Sequence, residues 1–425
     1  MLIEVLEPGE TIWMIARRYG VSVDALVRLN GISDPMRLVA GQALVVPTDG
    51  RTHTVRAGET LWQIARRYGV SPQSLIELNN IPAPDLIFPG EVLRIPRAPR
   101  IEIEANAYLQ TSGAARDRRL ALEAAPALTY VSIFEYRVLE SGELEAPEDG
   151  PALAAIGETD AVPMMVIANF REGNFSPDIA RAVFTDPAAR SGLIEGVADT
   201  MRIKGYRALN IDFENLYPAD RELYNAFLRD ITERLHREGF LVSTALAPKV
   251  SATQRGQWYE AHDYPAHGEI VDFVVLMTYE WGWSGGPPMA VAPIPQVRQV
   301  LDYAVSAIPP GKILMGAPLY GYDWTLPFVQ GGEWARTLGP LAAVEQAAAV
   351  GAAIQFDPVA QAPYYTYYDR QGREHVVWFE DARSMQAKFN LIREYGLRGI
   401  SYWVLGNPFP QNWALLLDEF FIRKI

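Results

Sequence analysis

Ala208-Leu209-Asn210-Ile211-Asp212-Phe213-Glu214 is the stretch on which the reading of the fold turns. Side chains of an extended strand alternate between its faces. Asn210, Asp212 and Glu214 therefore share one side, and Leu209, Ile211 and Phe213 share the other. An otherwise apolar strand with three polar groups in a row aims them at one place. Two same-face carboxylates repel, so one should hold its proton more tightly than a free carboxyl does. That is how a general acid is kept protonated near neutral pH. A lone Asp-x-Glu can also be half of an ion-paired sheet. Here the apolar setting favours chemistry, because an unpaired buried carboxylate is costly.

Working outward from this strand, apolar strands and helices alternate from Ile101 onward. Strands are expected at Ala105–Gln110, Tyr130–Val138, Pro163–Asn169, Ala208–Glu214, Leu241–Pro248, Ile270–Glu280, Ile313–Tyr322 and Gly399–Leu405. Eight such β/α units within residues 100–425 fit an α/β fold of the (β/α)8 TIM-barrel type. The surplus, at about residues 325–381, contains a helical run and a hairpin-like run, and reads as a small α+β insertion after strand 7. Barrel active sites sit at the C-terminal ends of the strands. Polar and aromatic residues gather there: Glu214, then Met277, Tyr279, Glu280 and Trp281, then Tyr320, Tyr322, Asp323 and Trp324, and finally Trp403. Aromatic walls beside buried carboxylates suit a sugar-cleaving cleft, since pyranose faces stack on rings.

Ahead of the barrel, residues 2–48 and 51–97 are one module written twice at an offset of 49. Gly9-Glu10-Thr11 returns as Gly58-Glu59-Thr60, Trp13 as Trp62, Arg17-Arg18-Tyr19-Gly20 as Arg66-Arg67-Tyr68-Gly69, and Leu29-Asn30 as Leu78-Asn79. Each copy reads strand, helix, helix, strand (βααβ), with the threonine capping the first helix. The pattern resembles the LysM module. That resemblance implies binding of N-acetylglucosamine in peptidoglycan or chitin. The groove would map to Gly9, Glu10, Thr11, Asn30 and Ile32 in the first copy, and to Gly58, Glu59, Thr60, Asn79 and Ile81 in the second. The linkers at 48–51 and 97–100 are short, so the modules should stay near the barrel.

Composition narrows the classes. At 425 residues the chain exceeds what one core usually organises. A formal net charge of −13 argues against nucleic acid and against an anionic lipid surface. There is no cysteine, so no disulfide and no thiolate metal site. His53, His236, His262, His267 and His375 lack strong ligand spacing; His262 and His267 read as loop or surface residues. No metal or cofactor is expected. The N-terminus has neither a basic n-region nor an apolar h-region, and no run approaches a membrane span. Neither membrane insertion nor export by the usual route is expected.

The strand-4 segment resembles the D-x-x-D-x-D-x-E signature of family 18 glycoside hydrolases, supported by Met277-Thr278-Tyr279 and Trp403. The whole layout is similar to that of spore-germination cortex hydrolases of this family. By that resemblance Glu214 is the general acid/base, Asp212 orients the substrate's 2-acetamido group, Tyr279 hydrogen-bonds it, and Trp403 floors the sugar site. Asn210, Met277, Glu280 and Tyr320 are further substrate contacts. Where the family has aspartates, this chain has Arg207, Asn210 and Glu280. Asn210 can still hydrogen-bond Asp212 but brings no charge. The implied activity is retaining, substrate-assisted N-acetylglucosaminidase action on spore cortex, by a monomer at the spore coat and cortex. A chitinase shares every catalytic residue. A non-catalytic, lectin-like coat protein is the alternative of another class, disfavoured by the retention of both Asp212 and Glu214.

Overall fold

The protein is seen as a computed structural model that describes residues 1–48, 52–68, 70–96 and 99–425. Gly69 and linker residues 49–51 and 97–98 lie outside the described residues. Each N-terminal module is a strand–helix–helix–strand unit. The first comprises Leu2–Val5, Ile12–Tyr19, Val23–Asn30 and Ala43–Val46, its strands antiparallel with Leu2 opposite Val46. The second comprises Thr52–Thr54, Leu61–Tyr68, Pro72–Asn79 and Val92–Arg94. Thr11 and Thr60 accept hydrogen bonds from the Met14 and Gln63 amides, as helix caps do. Each module closes over its own small core, Ile12, Ile15, Leu26 and Leu44 in one, Leu61, Ile64, Leu75 and Leu93 in the other.

From Ile101 the chain forms the expected closed barrel of eight parallel strands: Ile101–Gln110, Tyr130–Val138, Val162–Ala168, Ala208–Asp212, Leu241–Leu246, Phe273–Leu276, Ile313–Pro318 and Gly399–Trp403. The eighth strand closes on the first, with Gly399 beside Glu104 and Tyr402 beside Ala107. Strand alternation sorts two apolar layers. Leu209, Ile211 and Phe213 face outward and pack with Phe184, Tyr224 and Phe227 of the surrounding helices. Tyr108, Tyr130, Met164, Ala208, Phe273 and Leu314 fill the interior.

Several strand ends differ from expectation: strand 6 is only Phe273–Leu276, and two further differences bear on the site. Strand 4 stops at Asp212, so Glu214 stands on the loop just beyond it. Strand 7 stops at Pro318, and Tyr322 already belongs to the insertion, which begins at Gly321 rather than near 325. That insertion is a five-stranded antiparallel sheet with the helix Pro340–Val350. The apolar, aromatic run 313–322 reads as one strand in sequence, but Tyr320 and Tyr322 turn away to pair with Glu280.

The first module is docked on the barrel. Gln411 donates to Asn30 Oδ1 (2.8 Å) and to the Ala43 carbonyl (2.9 Å), and the Ile354 amide donates to the Ala40 carbonyl (2.9 Å). The N-terminal amine pairs with Asp418.

Candidate active site

The barrel's interior polar row ends in two carboxylates. Asn210 is fully buried and hydrogen-bonded at both ends: Tyr108 OH donates to its Oδ1 (2.9 Å), and its Nδ2 donates to Ser243 Oγ (3.0 Å). It makes no hydrogen bond to Asp212 and cannot meet a substrate, which corrects both expectations for it. One pleat further, Asp212 is 5% exposed and its Oδ1 has no hydrogen-bond partner. Burial first, then the charges of Glu214 and Glu135, push its carboxyl well above the usual range.

Glu214 is held from three sides. Its amide donates to Asn169 Oδ1 (3.0 Å), its carbonyl accepts from Asn169 Nδ2 (2.9 Å), and its Oε2 accepts from Trp258 Nε1 (2.6 Å). Burial pushes the carboxyl up to about 7, against the opposing effect of the Trp258 hydrogen bond. Just before it, the Phe213 carbonyl accepts from His262 Nε2 (2.9 Å), while His262 Nδ1 accepts from the Ala247 amide (2.8 Å). Those two bonds fix a neutral tautomer, and burial holds that ring's pKa down to about 4. His262, on the loop before the helix Tyr264–Ile270, and His267, within that helix, are thus both buried rather than surface residues. Their positions in sequence carry no sign of this, since the partners stand far off in the chain: the Phe213 and Ala247 main chain for His262, and Thr244 Oγ1 for His267.

Tyr279 lies within electrostatic reach of Asp212, Glu214 and Glu280, and burial raises its hydroxyl well above normal. Glu280 adopts a left-handed backbone (φ 69°), uncommon for a side chain of this kind. Its Oε1 accepts from Tyr322 OH (2.9 Å) and from Tyr320 OH. Glu280 and Tyr320 are therefore engaged with each other beside Tyr279. Met277 is buried in the same apolar cluster as Tyr279, Tyr320 and Tyr322. Trp403 stands edge-on to Tyr108 (5.4 Å) and Phe134 (4.9 Å), forming an aromatic corner above the interior layer.

Asn169, Trp258 and His262 were missed in the sequence. Asn169 was legible as the polar end of a barrel strand. Trp258 sits on a long loop after strand 5, and nothing local marks it.

In the modules, Gly9-Glu10-Thr11 and Gly58-Glu59-Thr60 form turns, with Gly9 and Gly58 at φ 85° and 80°. Glu10 accepts from the Glu7 amide and Glu59 from the Arg56 amide, so these side chains brace the turns. Asn30 and Asn79 pin a helix end to the returning strand. Asn30 donates to the Leu26 and Val45 carbonyls and accepts from the Val45 amide; Asn79 does the same with Leu75 and Arg94. Ile32 and Ile81 pack into the module cores. The side chains of these last four serve the fold, and the Ile32 and Ile81 amides donate to the Val27 and Ile76 carbonyls. Trp13 (46% exposed) and Trp62 (60%) present matching rings beside the turns.

Among the described residues no three His, Asp or Glu side chains are placed to hold a metal ion, and no helix is long and apolar enough to cross a membrane.

A barrel carrying two buried carboxylates and an aromatic corner at its C-terminal face defines a glycoside hydrolase. The model of glycosyl hydrolases family 18 matches residues 169–407, and the LysM domain model matches residues 5–47 and 53–96. A cortical fragment-lytic enzyme of Bacillus subtilis (strain 168) is 53% identical over 100% of this chain and 99% of its own. That of Bacillus cereus is 48% identical over 99% of both chains. The crystal structure of the Bacillus cereus spore cortex-lytic enzyme SleL superposes with a TM-score of 0.94 at 42% identity, covering 100% of this chain and 98% of that one. This chain belongs to glycosyl hydrolase family 18 and carries two LysM domains.

Proposed function

We propose that this enzyme is a retaining N-acetylglucosaminidase that hydrolyses β-1,4 bonds in spore cortex peptidoglycan. It would divide as LysM modules at 1–48 and 51–97 and a catalytic barrel at 100–425. The observation that carries the reading is the Glu214–Asp212 pair. Glu214 is held protonated to about 7 by burial, and Asp212 beside it keeps one buried oxygen free. The acetamido carbonyl oxygen of the bound sugar attacks the anomeric carbon as the glycosidic C–O bond breaks. Glu214 gives its proton to the leaving oxygen. Asp212 Oδ1 accepts a hydrogen bond from the acetamido N–H, which favours the ionised carboxylate, and that charge balances the positive ring that forms. Tyr279 hydrogen-bonds the same group, and Trp403 floors the sugar. Water, deprotonated by Glu214, then opens the ring with net retention, so the substrate replaces the protein nucleophile of other retaining enzymes.

The cortex as target rests on the full-length likeness to cortical fragment-lytic enzymes. The LysM modules would bind N-acetylglucosamine through their turns, and the chain would act as a monomer in the cortex region. Mass spectrometry of reducing ends released from cortex muropeptides and from chitin oligomers tests this. Reducing N-acetylglucosamine from cortex, with little action on chitin, is expected. Cleavage of chitin alone would make the enzyme a chitinase, and no product from either would leave a lectin.

A further inference from the structure

A third carboxylate lies within electrostatic reach of Asp212 without any part in the mechanism above. Glu135 lies on strand 2, where the ladder to strand 3 slips: Ile133 pairs with Met165 and Tyr136 with Ile167, three steps against two. Such a bulge re-aims a side chain. Its neighbour Phe134 points into the barrel against Trp403, while Tyr136 points outward to Asp149. The Glu135 side chain is 8% exposed. Its Oε1 accepts from Arg137 Nε (3.1 Å), but its Oε2 is buried with no hydrogen-bond partner. Its charge reaches Asp212, whose Oδ1 is likewise unpartnered.

Two unpaired carboxylate oxygens on one cleft are an expense that folding alone does not explain. The three carboxylates are not gathered as metal ligands. What both oxygens lack is a hydrogen-bond donor. A pyranose lying on Trp403, the ring that Phe134 touches, would bring hydroxyl hydrogens to the oxygen next along the chain. We propose that Glu135 is a substrate-binding residue whose Oε2 accepts a hydroxyl of the sugar seated on Trp403, beside the acetamido group that Asp212 takes. This rests on the reading of the barrel as an N-acetylglucosaminidase.

The test compares wild type with Glu135→Gln and Glu135→Leu, by kcat/KM on cortex muropeptides and N-acetylglucosamine tetramer and by Tm. Binding of the tetramer is titrated calorimetrically on Glu214→Gln and on the Glu214→Gln/Glu135→Leu double variant. At least a 30-fold fall in kcat/KM for Glu135→Leu and a 10-fold weaker binding in the double variant are expected, with Tm unchanged or raised because an unsatisfied oxygen is removed. Should Glu135→Leu fold poorly, the isosteric Glu135→Gln decides. Native Tm with weakened kcat/KM supports the proposal, and native Tm with wild-type kinetics overturns it. Wild type that cleaves the glycans alongside a Glu135→Leu within threefold of it would overturn this assignment alone. Wild type that neither binds nor cleaves either glycan would overturn the functional reading and this inference with it.

Discussion

At Glu214 one cause, burial, sets both activity and stability. A general acid must carry its proton, so kcat/KM should fall as pH rises through about 7, the value to which burial lifts this carboxyl. The Trp258 hydrogen bond works against that rise, so Trp258→Phe should move the alkaline limb of the pH–rate profile to higher pH. Glu214→Gln should lower turnover by about 10³-fold or more with the fold intact, the loss of a general acid plus some mispositioning. It should also be the more stable protein at pH 8. A carboxyl raised in the folded state is fully stabilising below its unfolded pKa, and that stabilisation is lost as pH climbs through the folded value. The rise from 4.5 to about 7 is worth up to roughly 3 kcal/mol at 1.36 kcal/mol per pH unit. Urea denaturation at pH 5 and pH 8 reads the difference; equal stability of both proteins at pH 8 would contradict it.

Among the elements, strands 6 and 7 place Tyr279, and they do so through a close approach that only glycine allows. A Cβ on Gly316 would sit 2.4 Å from the Leu276 carbonyl oxygen and 2.8 Å from the Tyr279 ring. Gly316→Ala must push the two strands apart or turn the ring. A displacement near 1 Å costs up to about 100-fold in rate, so kcat should fall 10- to 100-fold. Stability should fall by about 1–3 kcal/mol through overpacking. A variant with full kcat and reduced Tm would show that Tyr279 is not needed in place. All eight strands were legible in sequence, because each is an apolar run bounded by helical periodicity. Their ends were not. Tyr320 and Tyr322 have strand-like neighbours, and only the pull of Glu280 shows where the barrel stops and the insertion starts.

On the scale of the whole molecule, the two LysM modules are alike in sequence but unequal in place. The loop after the second helix of the first module lies against the barrel and insertion, with Gly31 against Pro410 and Leu341. Gly41, at φ +80°, brings its chain so close that a Cβ would lie 1.7 Å from the Ile354 carbonyl oxygen. Gly41→Ala should therefore undock the module. Hydrogen exchange would show the Ile354 amide, bonded to the Ala40 carbonyl, losing protection while the barrel's interior amides keep theirs. Unchanged protection at Ile354 would mean that the contact is not rigid.

What the sequence determined by itself is what periodicity and repetition encode. The 49-residue offset fixed two βααβ modules, and strand alternation at 208–212 fixed which side of strand 4 meets the cleft. Local order also placed Asp212 on that side, because side-chain direction in a strand depends only on the parity of the position. Tertiary structure decided the rest: that Asn210 is spent on Tyr108 and Ser243, that Asn169, Trp258 and His262 grip the Glu214 segment, and that Glu135 reaches the same cleft from strand 2. These depend on which strands the closed barrel sets side by side, and hydrogen bonds between residues scores of positions apart leave no periodic mark in the chain.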